Sequence, residues 1–313
     1  MSAVNGPTTT TVDSGQLTNF AASLIPPLSP SAHKGQAGRI GIVGGSLEYT
    51  GAPYFAASTT LRMGGDLAHV FCMREAALAI KTYSPDLIVH PVLDYGDPLS
   101  EIEEWLPRFH ALVLGPGLGR RPQTFATLGH IIEAAKDRHI PMVLDADALF
   151  YLNENYDVIQ GYPHTILTPN RVEMARLYRA VIKAEMRAEE VTPEHVQAVA
   201  QKLGVTILCK GANDVIASGD TLLVCDVTGS LRRCGGQGDI LSGASGLFVY
   251  WAYASTKSKS FSLPPIAIAA WAASALTRKA SSLAFAHKGR GTLTTDILNL
   301  VPQALASLFL KPK

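Results

Sequence analysis

Between Arg232 and Gly243 the chain reads Arg-Arg-Cys-Gly-Gly-Gln-Gly-Asp-Ile-Leu-Ser-Gly. Three glycines, Gly235, Gly236 and Gly238, precede one carboxylate, Asp239, and an apolar stretch opens at Ile240. This order fits a loop that turns into a helix. Free N–H groups at such a start bind anions, and a carboxylate there can take the proton of a hydroxyl about to receive a phosphoryl group. The same residues also suit an ordinary helix start with Asp239 as its N-cap. A second pair, Asn170 and Glu173, stands three apart at another predicted helix start, so both face one side. They can form a capping box. Alternatively they can hold Mg²⁺ beside a triphosphate, since Mg²⁺ keeps several waters and uses few carboxylates.

Such groups need a frame to bring them together. Short apolar, β-branched runs recur at 39–44, 68–72, 87–92, 111–115, 141–145, 165–168 and 205–210, and helical patterns fall between most of them. Phe125, Leu128, Ile132 and Ala135 share one helical face. Val196, Val199, Ala200 and Leu203 share another, started by Thr192-Pro193 and stopped by Gly204. Alternating strands and helices predict parallel βαβ units in a layered α/β fold. Leu17, Phe20, Ala21 and Leu24 predict a short helix ahead of the first strand, ended by Pro26, Pro27 and Pro30. After Lys210 a hairpin is expected, with 214–218 and 221–226 flanking Gly219-Asp220, and after Asp239 only helices. One domain over 15–313 behind a polar tail, 1–14, is the simplest organisation.

Several predicted strands end in small or polar residues. Gly44-Gly45-Ser46 follows one, and Gly115-Pro116-Gly117-Leu118-Gly119 another. Asp145-Ala146-Asp147, Thr168-Pro169-Asn170 and Lys210-Gly211 follow the rest. In a parallel sheet these ends share one edge, where ligands bind. Tight turns explain each loop singly, but not the gathering of glycines and charges. No Walker A loop, Gly-x-Gly-x-x-Gly spacing or His-Glu-x-x-His is present.

Composition narrows the classes. The chain has 313 residues, 47% hydrophobic and 17% charged, enough for a large buried core. A net charge of +1 argues against a nucleic-acid surface. Cys72, Cys209, Cys225 and Cys234 are widely spaced, which argues for a reducing compartment and against a zinc site. Cys234 is expected to be a packing residue rather than a reactive thiol. The longest apolar stretch, 264–286, is interrupted by Arg278 and Lys279, so a buried helix is expected rather than a membrane span. With no Arg-rich presequence or secretory signal at the start, a cytoplasmic location is expected.

Taken in order, these strings resemble a known family. Asn170-x-x-Glu173 followed by Gly-Gly-Gln-Gly-Asp239 is similar to the ribokinase-like superfamily. Gly44-Gly-Ser-Leu-Glu-Tyr-Thr-Gly-Ala-Pro53, Ser84-Pro-Asp-Leu-Ile-Val-His-Pro91, Gly115-Pro-Gly-Leu-Gly119, Asp145-Ala-Asp-Ala-Leu149, Thr168-Pro-Asn170, Lys210-Gly211 and Arg232-Arg-Cys-Gly-Gly-Gln-Gly-Asp239 narrow the likeness. Together they resemble the eukaryotic branch of the ATP-dependent NAD(P)H-hydrate dehydratases. The resemblance implies a three-layer α/β/α ribokinase-like fold with a mostly parallel central sheet. It implies a carbon–oxygen hydro-lyase that repairs the (6S) hydrate of NADH or NADPH, using ATP as co-substrate and Mg²⁺. A separate epimerase would act alongside it, because too few residues precede Arg39 for a fused one. Neither nucleic acid nor membrane is an implied partner, and a homo-oligomer stays open.

By resemblance, Asp239 is the base that takes the proton of the ring hydroxyl as it attacks the γ-phosphate. Amides around Gly235–Gly238 then stabilise the transferring charge, about 3 kcal/mol per donor in comparable sites. Gly117, Asn170, Arg171, Val172, Glu173, Met174, Ala175, Arg176 and Asp239 would contact the hydrate. Lys210, Gly211, Ala212, Asn213 and Asp214 would bind ATP. So would Gly229, Ser230, Leu231, Arg232, Arg233, Cys234, Gly235, Gly236, Gln237 and Gly238. Glu173 and Asn170 would hold Mg²⁺ through water. Arg232 and Arg233 either pair with phosphates or are solvated. Two other classes compete: a ribokinase-like kinase of a vitamin precursor or sugar, which keeps the phosphate on its product, and a silent nucleotide-binding regulator.

Overall fold

The computed structural model describes residues 13–310. The tail expected over 1–14 lies outside these residues except for Asp13 and Ser14, and Ser14 already opens a helix. Nine strands form one sheet: β1 (Arg39–Val43), β2 (Leu67–Cys72), β3 (Ile88–Pro91), β4 (Ala111–Leu114), β5 (Met142–Leu144), β6 (Thr165–Leu167), β7 (Thr206–Cys209), β8 (Asp214–Ser218) and β9 (Thr221–Cys225). Their spatial order is β3-β2-β1-β4-β5-β6-β7-β8-β9. β1 to β7 pair in parallel, while the β8–β9 hairpin adds antiparallel strands at one edge.

The helices are α1 (Ser14–Leu24), α2 (Gly51–Arg62), α3 (Arg74–Tyr83), α4 (Pro98–Trp105), α5 (Pro122–Asp137) and α6 (Asp147–Asn155). They continue with α7 (Arg171–Ile182), α8 (Pro193–Leu203), α9 (Gln237–Ala254), α10 (Pro265–Lys288) and α11 (Thr294–Phe309). Alternation along the strands divides them into two layers. Ile40, Ile42, Val113, Val143 and Ile166 join a core with α1, α2, α3, α9, α10 and α11. Val43, Leu112, Leu114, Met142, Leu144 and Leu167 join the opposite core, under α4 to α8. Strands buried on both faces read as unbroken apolar runs, which is why the sequence marks them so clearly.

Local chemistry sets the helix ends that matter here. Asn170 caps α7, Thr192 and His195 form a capping box on α8, and Gly204 closes α8 in the left-handed conformation. The apolar stretch of 264–286 is α10, packed between α9 and α11. No described helix is long and apolar enough to cross a membrane. Of the run 44–53, Gly51, Ala52 and Pro53 already form the first turn of α2. That helix crosses α9 closely. A Cβ at Gly243 would stand 2.1 Å from the Ala56 carbonyl oxygen, so only glycine permits the approach that seats the start of α9.

The ladder extends past the strands. Gly44 N–H bonds the Phe71 carbonyl, Gly115 bonds Val43, Asp145 bonds Leu114, Thr168 bonds Leu144 and Lys210 bonds Pro169, at 2.8–3.1 Å. These bonds draw the strand-end loops into one row. The row spans the point between β1 and β4 where the chain order reverses, the usual ligand crevice of such sheets.

Candidate active site

Gly236, at φ +98, turns the 229–236 loop into α9. The loop is tied to α11 by Thr294, whose hydroxyl bonds the Gly235 carbonyl at 2.5 Å and lies 3.4 Å from the Cys234 sulfur. Asp239 is the third residue of α9, not its cap, and no side chain caps this helix. Its first amides therefore remain available to an anion.

Three further segments meet that start. Asp145, at the end of β5, is 2% exposed. Lys210, at the end of β7, bonds Asp145 at 3.0 Å and stands 4.0 Å from Glu173 on α7. A Cβ on Gly238 would lie 3.5 Å from the Lys210 nitrogen and 3.7 Å from the Asp145 carboxylate, so the α9 start sits directly against the pair. One lysine thus shares three carboxylates: Asp145, Glu173 and Asp239.

The electrostatics follow from that arrangement. Burial, aided by the negative charge of Asp145, pushes Asp239 up from 3.8 to about 7, with Lys210 opposing. Burial also raises Glu173, against the pull of Lys210 and of the Asn170 N–H. Burial alone would lower Lys210, but Asp145 and Glu173 outweigh it and hold the ammonium above its ordinary value. A carboxyl group kept near neutrality in a crevice beside open amides can act as a general base at physiological pH.

Asn170 and Glu173 do form a capping box. The Asn170 oxygen accepts from the Val172 and Glu173 amides at 2.9 Å each, and one Glu173 oxygen accepts from the Asn170 N–H at 2.8 Å. In this arrangement both bonds of the Asn170 side-chain oxygen go to the start of α7. Glu173 keeps one unbonded oxygen, which suits contact through a water of hydrated Mg²⁺. No group of three or more His, Cys, Asp or Glu able to hold a metal occurs among the described residues.

The remaining expected residues separate. Met174 and Ala175 point into the core, so their side chains cannot meet a hydrate. Arg171 turns away to bond the Ala188 and Glu189 carbonyls, whereas Val172 and Arg176 are exposed. Gly117 is buried against Tyr49 and Ala52. Asp214 is 6% exposed, and its carboxylate accepts from the Gly211 N–H, Ser274 and Arg278, so its side chain holds its own loop. Ala212 and Asn213 are exposed, as are Leu231, Arg232, Arg233 and Gly235, while Gly229 is half-buried. Ser230 is buried and bonds within its own turn. Arg232 and Arg233 also bond loop carbonyls. Cys234 is a packing residue that accepts from the Gln237 amide at 3.2 Å.

Two residues near the site escaped the sequence reading. Arg278 reaches from α10 to Asp214 and to the carbonyls of Val227, Gly211 and Ala212, and its signal was a charge inside an apolar helix. Arg120 is held by Asp147 at 2.8 Å and left no signal beyond its place after Gly119. A cavity of about 280 Å³ between α1 and the end of α9, lined by Leu24, Pro26, Tyr250 and Trp251, lies apart from this chemistry.

A sheet of this order, with a glycine loop, a near-neutral aspartate and an uncapped helix start at its carboxyl edge, defines a ribokinase-like enzyme. Solved structures share the fold. A ribokinase-like superfamily protein from Enterococcus faecalis superposes with a TM-score of 0.75 at 19% identity, covering 94% of this chain and 95% of that one. An ADP/ATP-dependent NAD(P)H-hydrate dehydratase from Bacillus subtilis, co-crystallised with ATP and Mg²⁺, does so at 0.70 and 20% identity, covering 93% and 97%. The family model of the NAD(P)H-hydrate dehydratases matches residues 40–303, and the chain belongs to that family. It is 48% identical over 300 residues to the rat ATP-dependent (S)-NAD(P)H-hydrate dehydratase, covering 96% of this chain and 87% of that protein.

Proposed function

We propose that the chain restores NADH or NADPH from its (6S) hydrate at the expense of ATP. The observation that carries the chemistry is Asp239, pushed up to about 7 at the uncapped start of α9 beside the Asp145–Lys210 pair. Hydroxide leaves badly and phosphate leaves well. Asp239 accepts the proton of the C6 hydroxyl as its oxygen attacks the γ-phosphorus, and ADP departs. The amides of the α9 start stabilise charge on the transferring group. Expulsion of phosphate by the ring nitrogen lone pair, followed by loss of a C5 proton, regenerates the dihydronicotinamide.

Glu173 would hold Mg²⁺ through water, and the ion would neutralise phosphate charge. Lys210 stays protonated and anchors the negative side of the site. The opposite hydrate epimer requires a separate epimerase. The continuous nine-strand sheet supports a single catalytic domain, and the four free thiols suit the cytoplasm.

The test is incubation of the purified protein with NADH hydrate, Mg²⁺ and ATP. Expected are one orthophosphate and one restored dihydronicotinamide chromophore per ADP. A stable phosphorylated product, or no turnover with ATP, would overturn the reading.

A further inference from the structure

Thr294, the first residue of α11, is 4% exposed and turns its side chain to the glycine loop rather than to its own helix. The start of α11 is closed without it, since Asp296 accepts from the Leu293 N–H at 2.9 Å. The Thr294 hydroxyl is thereby left to donate to the Gly235 carbonyl. Its methyl group and oxygen also crowd Gly236. A Cβ there would stand 2.8 and 3.0 Å from them, and 3.1 Å from the Phe55 ring of α2. Gly236 is therefore gripped between two helices at its φ of +98. Gly235, by contrast, would have nothing within 4 Å of a Cβ. Among the described residues, the Thr294 hydroxyl is the one group bonded to it.

Peptide planarity gives that single bond its reach. The Gly235 carbonyl and the Gly236 N–H belong to one trans peptide and point opposite ways. Holding the carbonyl on α11 turns the N–H away from α11. With glycine on both sides this peptide can flip at little steric cost, and the flip would put a carbonyl oxygen where the amide stands. An amide there stabilises a transferring phosphoryl group, whereas a carbonyl dipole repels it. The amides of Gly235, Gly236, Gln237 and Gly238 donate to nothing among the described residues. We propose that Thr294 is a positioning residue for phosphoryl transfer: its hydroxyl locks the Gly235–Gly236 peptide so that the N–H is presented to the γ-phosphoryl oxygens. The inference rests on the proposed function and adds to it a control on the glycine loop from a helix outside that loop.

The experiment compares wild type with Thr294→Val, which keeps the shape and removes the hydroxyl, and with Thr294→Ser, which keeps the hydroxyl and removes the methyl group. Turnover of NADH hydrate gives kcat and both KM values. Calorimetry gives the affinity for ADP alone and for ADP with Mg²⁺ and aluminium fluoride, a mimic of the transferring phosphoryl group. In Thr294→Val, kcat is expected to fall about ten-fold, short of the roughly 10²-fold that deletion of a whole oxyanion donor costs. Both KM values should stay within about two-fold, because the locked amide acts on the transition state. Affinity for the aluminium fluoride complex should fall by the same factor as kcat, and affinity for ADP alone should not change. Thr294→Ser should restore kcat. A wild-type kcat in Thr294→Val, a loss seen only in KM, or a Thr294→Ser as slow as Thr294→Val overturns the proposal. If Thr294→Val fails to fold, Thr294→Ala is read in its place. If the wild type turns over no hydrate, the functional reading falls separately. Thr294 is then judged by calorimetry: weaker binding of the aluminium fluoride complex in Thr294→Val, restored in Thr294→Ser, supports the lock, and equal binding overturns it.

Discussion

Asp214 opens β8 and Asp239 lies in the first turn of α9, and their surroundings differ in kind. Asp214 accepts from the Gly211 amide at 2.9 Å, from Ser274 at 2.7 Å and from Arg278 at 3.2 Å. Its desolvation is met by donors and by a cation. Asp239 receives no side-chain or backbone bond among the described residues, and only the charge of Lys210 opposes its burial. A buried carboxylate with matched donors is a strut. One left unmatched is poised to take a proton. The resemblance put both residues in ligand-binding stretches, and geometry alone tells them apart.

The largest test of that contrast is Asp239→Asn. Loss of the base is expected to cut turnover by about 10³-fold. Near-wild-type turnover would remove Asp239 from the mechanism. The same variant should be more stable above neutrality. A carboxyl raised from 3.8 to about 7 on folding contributes stability that is present below pH 4 and lost as pH climbs through 7, so removing the charge removes the loss. Melting midpoints at pH 5 and pH 8 check the sign: the gain should be larger at pH 8. Asp214→Ala should behave in the opposite way. It leaves the largely desolvated Arg278 without its carboxylate, with only carbonyl partners, which costs about 3 kcal/mol of stability, read from denaturant midpoints. If Asp214→Ala instead folds normally and abolishes turnover, the two roles are reversed.

The sequence makes the frame plain because its signals are local. Strands buried on both faces announce themselves as apolar runs, and Gly219-Asp220 announces the hairpin. The gathering of loops on one edge follows from parallel order. What stays hidden is pairing across distance. Nothing in the spacing of Asp145 and Lys210 tells that their side chains meet, since sheet geometry sets that bond. Likewise Arg278 reads as a flaw in an apolar helix until it is seen to hold the 211–214 turn. Met174 and Ala175 belong to the stretch that the resemblance implies for the hydrate, although helical periodicity turns their side chains to the core. The four helix-start residues Gly236 to Asp239 are the reverse case, because their order already implies a turn, open amides and a carboxylate.

A middle-sized effect separates the members of the charged cluster. Asp239 acts as base only when ionised, so turnover should rise with pH through about 7 and level off above it. Asp145 helps hold Asp239 high, and Lys210 pulls it down. Asp145→Asn removes the first influence and frees the second, so the acidic limb should move to lower pH. A weaker base should also lower the plateau, by about ten-fold. A pH–rate profile of the variant checks both. An acidic limb that stays in place, or moves up, would mean that Asp145 serves only to hold Lys210.

The smallest effect asks whether Asn170 is only a cap. Both its amide-oxygen bonds go to the start of α7, so Asn170→Ala should cost about 1 kcal/mol of stability. Asn170→Ser keeps a capping oxygen and should recover most of that loss. If the cap is the whole role, Asn170→Ser should also keep the wild-type Mg²⁺ requirement, since Glu173 alone has an oxygen to spare. Turnover measured across a Mg²⁺ titration decides. Restored stability with a raised Mg²⁺ requirement would return Asn170 to the metal, and would mean that the capping box opens when the nucleotide arrives.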